Sequence, residues 1–119
     1  MNSLELIALK DFPDVEPGNN IVELIINNIN TNNVPIDDFD VIVIAQKVIS
    51  KAENRYIDLD NINISDQAKK LALKLKKDKG LVQAIINESN KIISTEKNVI
   101  IVEHKLGFIN INAGIDRSN

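Results

Sequence analysis

With 119 residues, 44% hydrophobic and 26% charged, the chain is one domain's worth of globular protein, long enough for a modest core. A net charge of −3 argues against a general nucleic-acid binder, which needs a basic surface. No apolar run reaches the roughly 18 residues of a membrane span. The absence of cysteine excludes disulfides and thiolate metal sites. The start, MNSLELIALKDF, carries acids and no basic region of the signal-peptide type, so a cytoplasmic location is expected.

Residues 4–9, Leu4 to Leu9, read as a first strand. Lys10 to Asn20 holds Pro13, Pro17 and Gly18, a loop signature. Asn19 or Asn20 can cap the helix that follows, in which Ile21, Leu24, Ile25 and Asn28 fall at helical spacing. Thr31 to Asp38 is a polar turn with Pro35, and it leads into the stretch around which the chain is arranged, DVIVIAQKVISKAE, Asp40 to Glu53. The four β-branched residues Val41 to Ile44 suit a strand at 40–45 buried on both faces. Gln46, Lys47, Ser50 and Lys51 follow at once, and polar groups opening from a strand end are a common way to present a ligand site. Lys47 and Lys51 share one face if the segment is helical; spacing alone favours a solvated helix face.

Arg55 to Leu59 reads as a short strand. Ser65 is a candidate cap for a helix whose stripe is Ala68, Leu71, Ala72 and Leu75, with Lys69, Lys70, Lys74, Lys76 and Lys77 mostly outside it as a solvated face. Gly80 interrupts the pattern. A second helix follows, burying Leu81, Val82, Ile85, Ile86, Ile92 and Ile93, so that residues 65–93 form a helical hairpin without chemistry of its own. Strands are expected at 98–103 (Val99 to Val102) and at 107–112, where Phe108 to Asn112 alternates apolar and polar. The fold class expected is α+β, a mixed α/β domain, with no internal repeat or linker. No G-x-x-x-x-G-K-[ST] or G-x-G-x-x-G is present, so any nucleotide site is neither a P-loop nor a Rossmann site. His104, the lone histidine, has no second histidine or nucleophile to make a catalytic set and is assigned no role.

Two segments carry a family resemblance. DVIVIAQKVISKAENR resembles the AQK-x-x-SKAEGR segment of the coenzyme F-420-0:L-glutamate ligase (F-420-0:gamma-glutamyl ligase) family, and EHKLGFININAGIDRSN resembles its H-x-GF-x-x-NAGID-x-SN motif, in the same order and at a similar distance. The likeness covers essentially all of this chain but only about the first half of the family's. Residues 1–119 are therefore expected to be the N-terminal portion of a glutamate-ligase domain, an incomplete domain lacking the family's C-terminal half. Asn54 stands where the family usually has glycine; asparagine tolerates positive φ, so a turn there can survive.

The resemblance implies a GTP-dependent ligase that adds L-glutamate to F-420-0 through an acyl phosphate, with GTP as co-substrate, Mg²⁺ or Mn²⁺ as metal, K⁺ left open as a further ion, and a homodimer. It implies that Phe12, Pro13, Asp14 and Val15 line the guanine-nucleotide site, with Gln46, Lys47, Lys51 and Asn119 as further nucleotide contacts. Lys51 is the best candidate for phosphate, and Lys47 is the looser match because the family varies there. Asp116 follows the small-residue turn Asn112 to Ile115. Read alone it is an aspartate in a turn; the resemblance makes it a divalent-metal ligand, in keeping with the preference of hard cations for oxygen. No catalytic residue is assigned. The other reading is a non-catalytic module, or inactive fragment, that binds a nucleotide, a metal or a partner chain.

Overall fold

The computed structural model describes residues 2–118. It divides into two compact units with the boundary between Tyr56 and Ile57. Among the described residues there are four helices and one three-stranded antiparallel sheet, which bears out the mixed α+β class. None of these helices is long and apolar enough to cross a membrane.

The first unit carries α1 (Ile21–Asn32) and α2 (Gln46–Ala52). Asn20 is the cap of α1: its side-chain oxygen accepts from the N–H of Val22 and Glu23, and its amide donates to Glu23 Oε1 at 2.9 Å. The helix ends at Asn33 in the left-handed region (φ 53°), with Asn33 N–H bonded to Asn30 O and Val34 N–H to Ile29 O, the paired bonds of a Schellman stop.

Neither strand expected in this unit, 4–9 or 40–45, forms, and Arg55 to Leu59 is not a strand either. The residues suit extended backbone, but a strand needs a neighbour to bond, and every described ladder lies in the second unit. Burial on both faces fails for the same reason. Ile42 and Ile44 line an apolar groove of about 570 Å³ with Ile25 and Ile29 of α1, whereas the alternate residues Val41 and Val43 are 83% and 86% exposed. The segment thus turns Ile42 (52% exposed) and Ile44 (38% exposed) toward α1 and leaves Val41 and Val43 the barer side.

The second unit holds α3 (Asp66–Leu75), α4 (Lys79–Asn87), β1 (Ser89–Ser94), β2 (Ile101–His104) and β3 (Ile109–Ile111), with sheet order β1-β2-β3. Ser65 caps α3 as expected, accepting from Ala68 N–H at 3.2 Å. Asp78 caps α4 through Leu81 N–H at 2.8 Å. Ala68, Ala72 and Leu75 of α3 and Leu81, Val82 and Ile85 of α4 pack with Ile100 and Val102 into one core cluster. Lys69, Lys70, Lys74 and Lys76 are exposed, as a solvated face requires.

The helical hairpin is shorter than the expected 65–93. It ends at Asn87, and Ile92 and Ile93 belong to β1 rather than α4. The segment Ser89-Asn90-Lys91-Ile92-Ile93-Ser94 is poor in strong helix formers, and pairing with β2, with Ile92 opposite Val102, supplies its backbone bonds. Strands at 98–103 and 107–112 are present in shortened form as β2 and β3, with Ile100 fully buried just before β2.

Gly80 has a steric reason. A Cβ there would stand 2.7 Å from the carbonyl oxygen of Leu59 and 3.2 Å from its Cβ. Gly80→Ala should therefore lower stability by about 1–3 kcal/mol, despite alanine's higher helix propensity; a urea titration of both proteins measures this, and an unchanged or raised midpoint would contradict it. Across the sheet, Lys91 lies opposite Glu103, with Nζ 3.1 Å from Oε2. The hydrogen bond from Lys91, followed by that from Asn90, holds the Glu103 carboxyl below its usual value of 4.5. A lowered carboxylate stabilises the fold above its unfolded pKa, and that contribution disappears as pH falls through the folded value. Glu103→Gln should thus lower the thermal midpoint slightly at neutral pH, and the gap should close on acidification below 4.5; a gap that stays constant with pH would show that the ion pair is not its source.

Candidate functional site

The expected nucleotide loop begins from a fixed point on α1. Lys10 N–H donates to Asn32 Oδ1 at 2.9 Å, and Lys10 O accepts from Asn32 Nδ2 at 3.2 Å and from Asn28 Nδ2 at 3.3 Å. Asn28 Nδ2 also reaches Asp11 O at 3.3 Å. Asp11 is left-handed, φ 51°. Beyond it Phe12 is half-buried, Pro13 and Asp14 are exposed, and Val15 is buried. The loop continues through Gly18 (φ 86°), whose N–H donates to Ala52 O at 2.9 Å. That bond ties the Pro-containing loop to the C-terminal end of α2.

The segment from Gln46 is helical, so Lys47 and Lys51 do share a face. Gln46 is exposed, while Lys47, Ser50 and Lys51 are half-buried. The helix stops at Asn54, whose φ is 54°. Arg55 N–H returns to Ser50 O at 2.8 Å and Asn54 N–H to Lys51 O at 3.0 Å. Asparagine thus fills the left-handed position that usually falls to glycine. Phe12 to Val15 and Gln46 to Lys51 therefore belong to one unit, and a backbone bond joins the residues just beyond each, Gly18 and Ala52.

Asp116 is in the second unit. It follows three consecutive residues of positive φ, Asn112 (52°), Ala113 (53°) and Gly114 (69°). The turn is anchored by Asn112 N–H on Ile100 O at 2.7 Å and by the buried methyl of Ala113. Asp116 is exposed, and its Oδ1 accepts from Ser118 N–H at 2.8 Å. Asn119 lies outside the described residues.

A divalent metal fits these residues in kind but not in number. Asp116 is a carboxylate, and Oδ1 of both Asn110 and Asn112 is buried without a hydrogen-bond partner; all are oxygen donors of the type hard cations take. No group of three or more His, Cys, Asp or Glu suited to a metal exists among the described residues, whereas Mg²⁺ or Mn²⁺ takes about six oxygens.

His104 is occupied structurally. Its Nδ1 accepts from Leu106 N–H at 3.0 Å, its Nε2 faces Glu88 Oε2 at 3.7 Å, and its ring stacks on Phe108 at 4.7 Å. Asn28 and Asn32 are the residues that sequence reasoning passed over. Asn28 was visible as a polar residue on the apolar stripe of α1; its partners, 17 and 18 positions away, were not.

Comparison with known proteins adds an independent line. The model of the family described as F420-0:Gamma-glutamyl ligase matches residues 10–119. A coenzyme F420:L-glutamate ligase of Methanothermobacter thermautotrophicus is 40% identical over 116 residues, covering 98% of this chain and 46% of that protein. The protein of the same name from Methanocaldococcus jannaschii is 48% identical over 85 residues (71% of this chain, 34% of that protein). The one from Archaeoglobus fulgidus is 34% identical over 116 residues, 98% of this chain and 44% of its own length. The chain spans less than half the length of these relatives. Because the match runs through the loop at Phe12, helix α2 and the turn before Asp116, the chain belongs to the F420-0:gamma-glutamyl ligase family.

Proposed function

We propose that the chain supplies the nucleotide-loading part of a GTP-dependent ligase that joins L-glutamate to coenzyme F-420-0, within coenzyme F-420 biosynthesis. It acts together with sequence equivalent to what the relatives carry beyond the match, in the same polypeptide or another. Besides family membership, the observation that carries this reading is α2, which places Lys47 and Lys51 on one face and whose last residue, Ala52, accepts from the N–H of Gly18, three residues past the loop of Phe12 to Val15.

The chemistry explains the need for a nucleotide. A carboxylate does not condense with an amine at neutral pH, because oxide is too poor a leaving group. In the proposed reaction a carboxylate oxygen of F-420-0 attacks the γ-phosphorus of GTP. The bond to the β-phosphate oxygen breaks, and GDP departs with the electron pair. The glutamate amine then attacks the acyl phosphate carbon, phosphate leaves, and the nitrogen loses its proton to water. Lys51, with Lys47 beside it, offsets charge on the transferring phosphoryl group. Gln46 and the loop of Phe12 to Val15 hold the nucleotide, with Asn119 as a further contact. Asp116 would contribute one ligand to Mg²⁺ or Mn²⁺, which when bound neutralises phosphate charge; its remaining ligands would come from beyond the described residues.

In the native protein that carries this sequence, Lys51→Ala should weaken GTP binding by about 1.5–3 kcal/mol, the value of a charge-assisted contact. Titration with labelled GTP measures it, and equal affinity in two folded proteins would remove Lys51 from the site. The whole reading is tested by assaying the chain with GTP, Mn²⁺, glutamate and F-420-0, alone and after adding the part of the Methanothermobacter relative that it does not match. Glutamylated product on mixing is the expected result, and Asp116→Asn should abolish it while leaving the fold intact. Product from the chain alone would show that no further sequence is needed. Absence of both product and GTP binding in the mixture would overturn the ligase reading.

A further inference from the structure

The amide pair on α1 is unusual for its position. Asn28 is 7% exposed on an otherwise apolar helix face, where burying an unpaired amide costs about 1–3 kcal/mol and an aliphatic side chain would pack without that penalty. Its amide is spent on the backbone of Lys10 and Asp11. Its own oxygen and carbonyl are met by Asn32 Nδ2 at 3.2 and 2.8 Å. Asn32 in turn engages both the N–H and the C=O of Lys10, so a side-chain amide bonds that residue as a neighbouring strand would. Together the two asparagines hold Asp11 at a positive φ, a conformation that persists only where surrounding contacts over-determine it. The next residue is Phe12.

We propose that Asn28 and Asn32 are positioning residues for base selectivity. By fixing Lys10 and Asp11 they set the path of the Phe12 to Val15 backbone, and so decide guanine against adenine, while phosphate affinity rests on α2. This rests on the reading of that loop as the guanine site. A loop freed at its root keeps its composition but loses the defined hydrogen-bonding directions that distinguish two purines. A rigid polar site rejects the wrong partner by leaving groups unpaired, and a mobile one does not.

The test compares GTP and ATP affinity in the native protein and in its Asn28→Leu and Asn28→Asp variants, with thermal midpoints measured alongside. Leucine is close to asparagine in size and removes the donor without adding charge; aspartate keeps the shape and turns an oxygen toward the two carbonyls. The GTP-to-ATP affinity ratio should fall by about tenfold or more in both variants, with ATP affinity held within about twofold. The Asn28→Leu midpoint should fall only slightly, because the bonds to Lys10 O and Asp11 O are lost while an apolar side chain suits that face. A ratio unchanged in either folded variant overturns the proposal. Equal losses for both nucleotides assign Asn28 to the fold and also overturn it. A native protein that binds GTP no better than ATP removes the guanine reading itself, a failure visible before any variant is made.

Discussion

Val82, Ile85, Ile100 and Val102 are fully shielded from water, and the contact they make between α4 and β2 is the constraint on which the second unit depends. Apolar side chains of this size each gain about 1.5–3 kcal/mol on full burial, and they can do so only if α4 lies along one face of the sheet. That arrangement favours glycine at position 80, because the start of α4 passes against the backbone of Leu59. It also fixes the end of the unit. Ile100 accepts the hydrogen bond that anchors Asn112, and Ala113 belongs to the same cluster. Asp116 is therefore three residues from a buried side chain, although it is itself exposed.

The first unit is held differently. Val15 is its one buried apolar residue among those described, so hydrophobic burial contributes little there. Directional bonds take over: Asn20 at the start of α1, the amides of Asn28 and Asn32 on the loop, Gly18 on Ala52. Hydrogen bonds define angles as well as distances, and they suit a segment whose value lies in backbone geometry. Their net worth is small, about 0.5–1.5 kcal/mol each, which makes this unit the more sensitive of the two to loss of a single polar group.

Local signals in the sequence were legible wherever the deciding interaction was itself local. Ser65 and Asn20 were recognisable as caps because their partners lie two or three residues away. The shared face of Lys47 and Lys51 follows from helical spacing, and the tolerance of Asn54 for positive φ from its side chain. The errors arose where distant partners decide. Val41 to Ile44 signals extended backbone but cannot say whether a neighbouring strand exists. Ile92 and Ile93 continue the spacing of Ile85 and Ile86, so periodicity placed them in a helix; the ladder to Glu103 and Val102 put them in a strand. The motifs pointed to Lys51 and Asp116, but could not show that the two fall in separate units.

The bare side of the extended segment at Val41 to Ile44 bears on how the protein behaves at high concentration. A β-branched run with unpaired backbone is a template on which like segments stack. Here it is flanked by Asp37, Asp38 and Asp40 on one side and by Lys47 on the other. Acidic residues placed against such a run act as gatekeepers, because stacking in register would bring like charges together at about 4.8 Å spacing. That repulsion is screened by salt. Colloidal stability should therefore depend on ionic strength and on the charge of three aspartates, which makes low-salt, near-neutral buffer the natural condition for handling this chain.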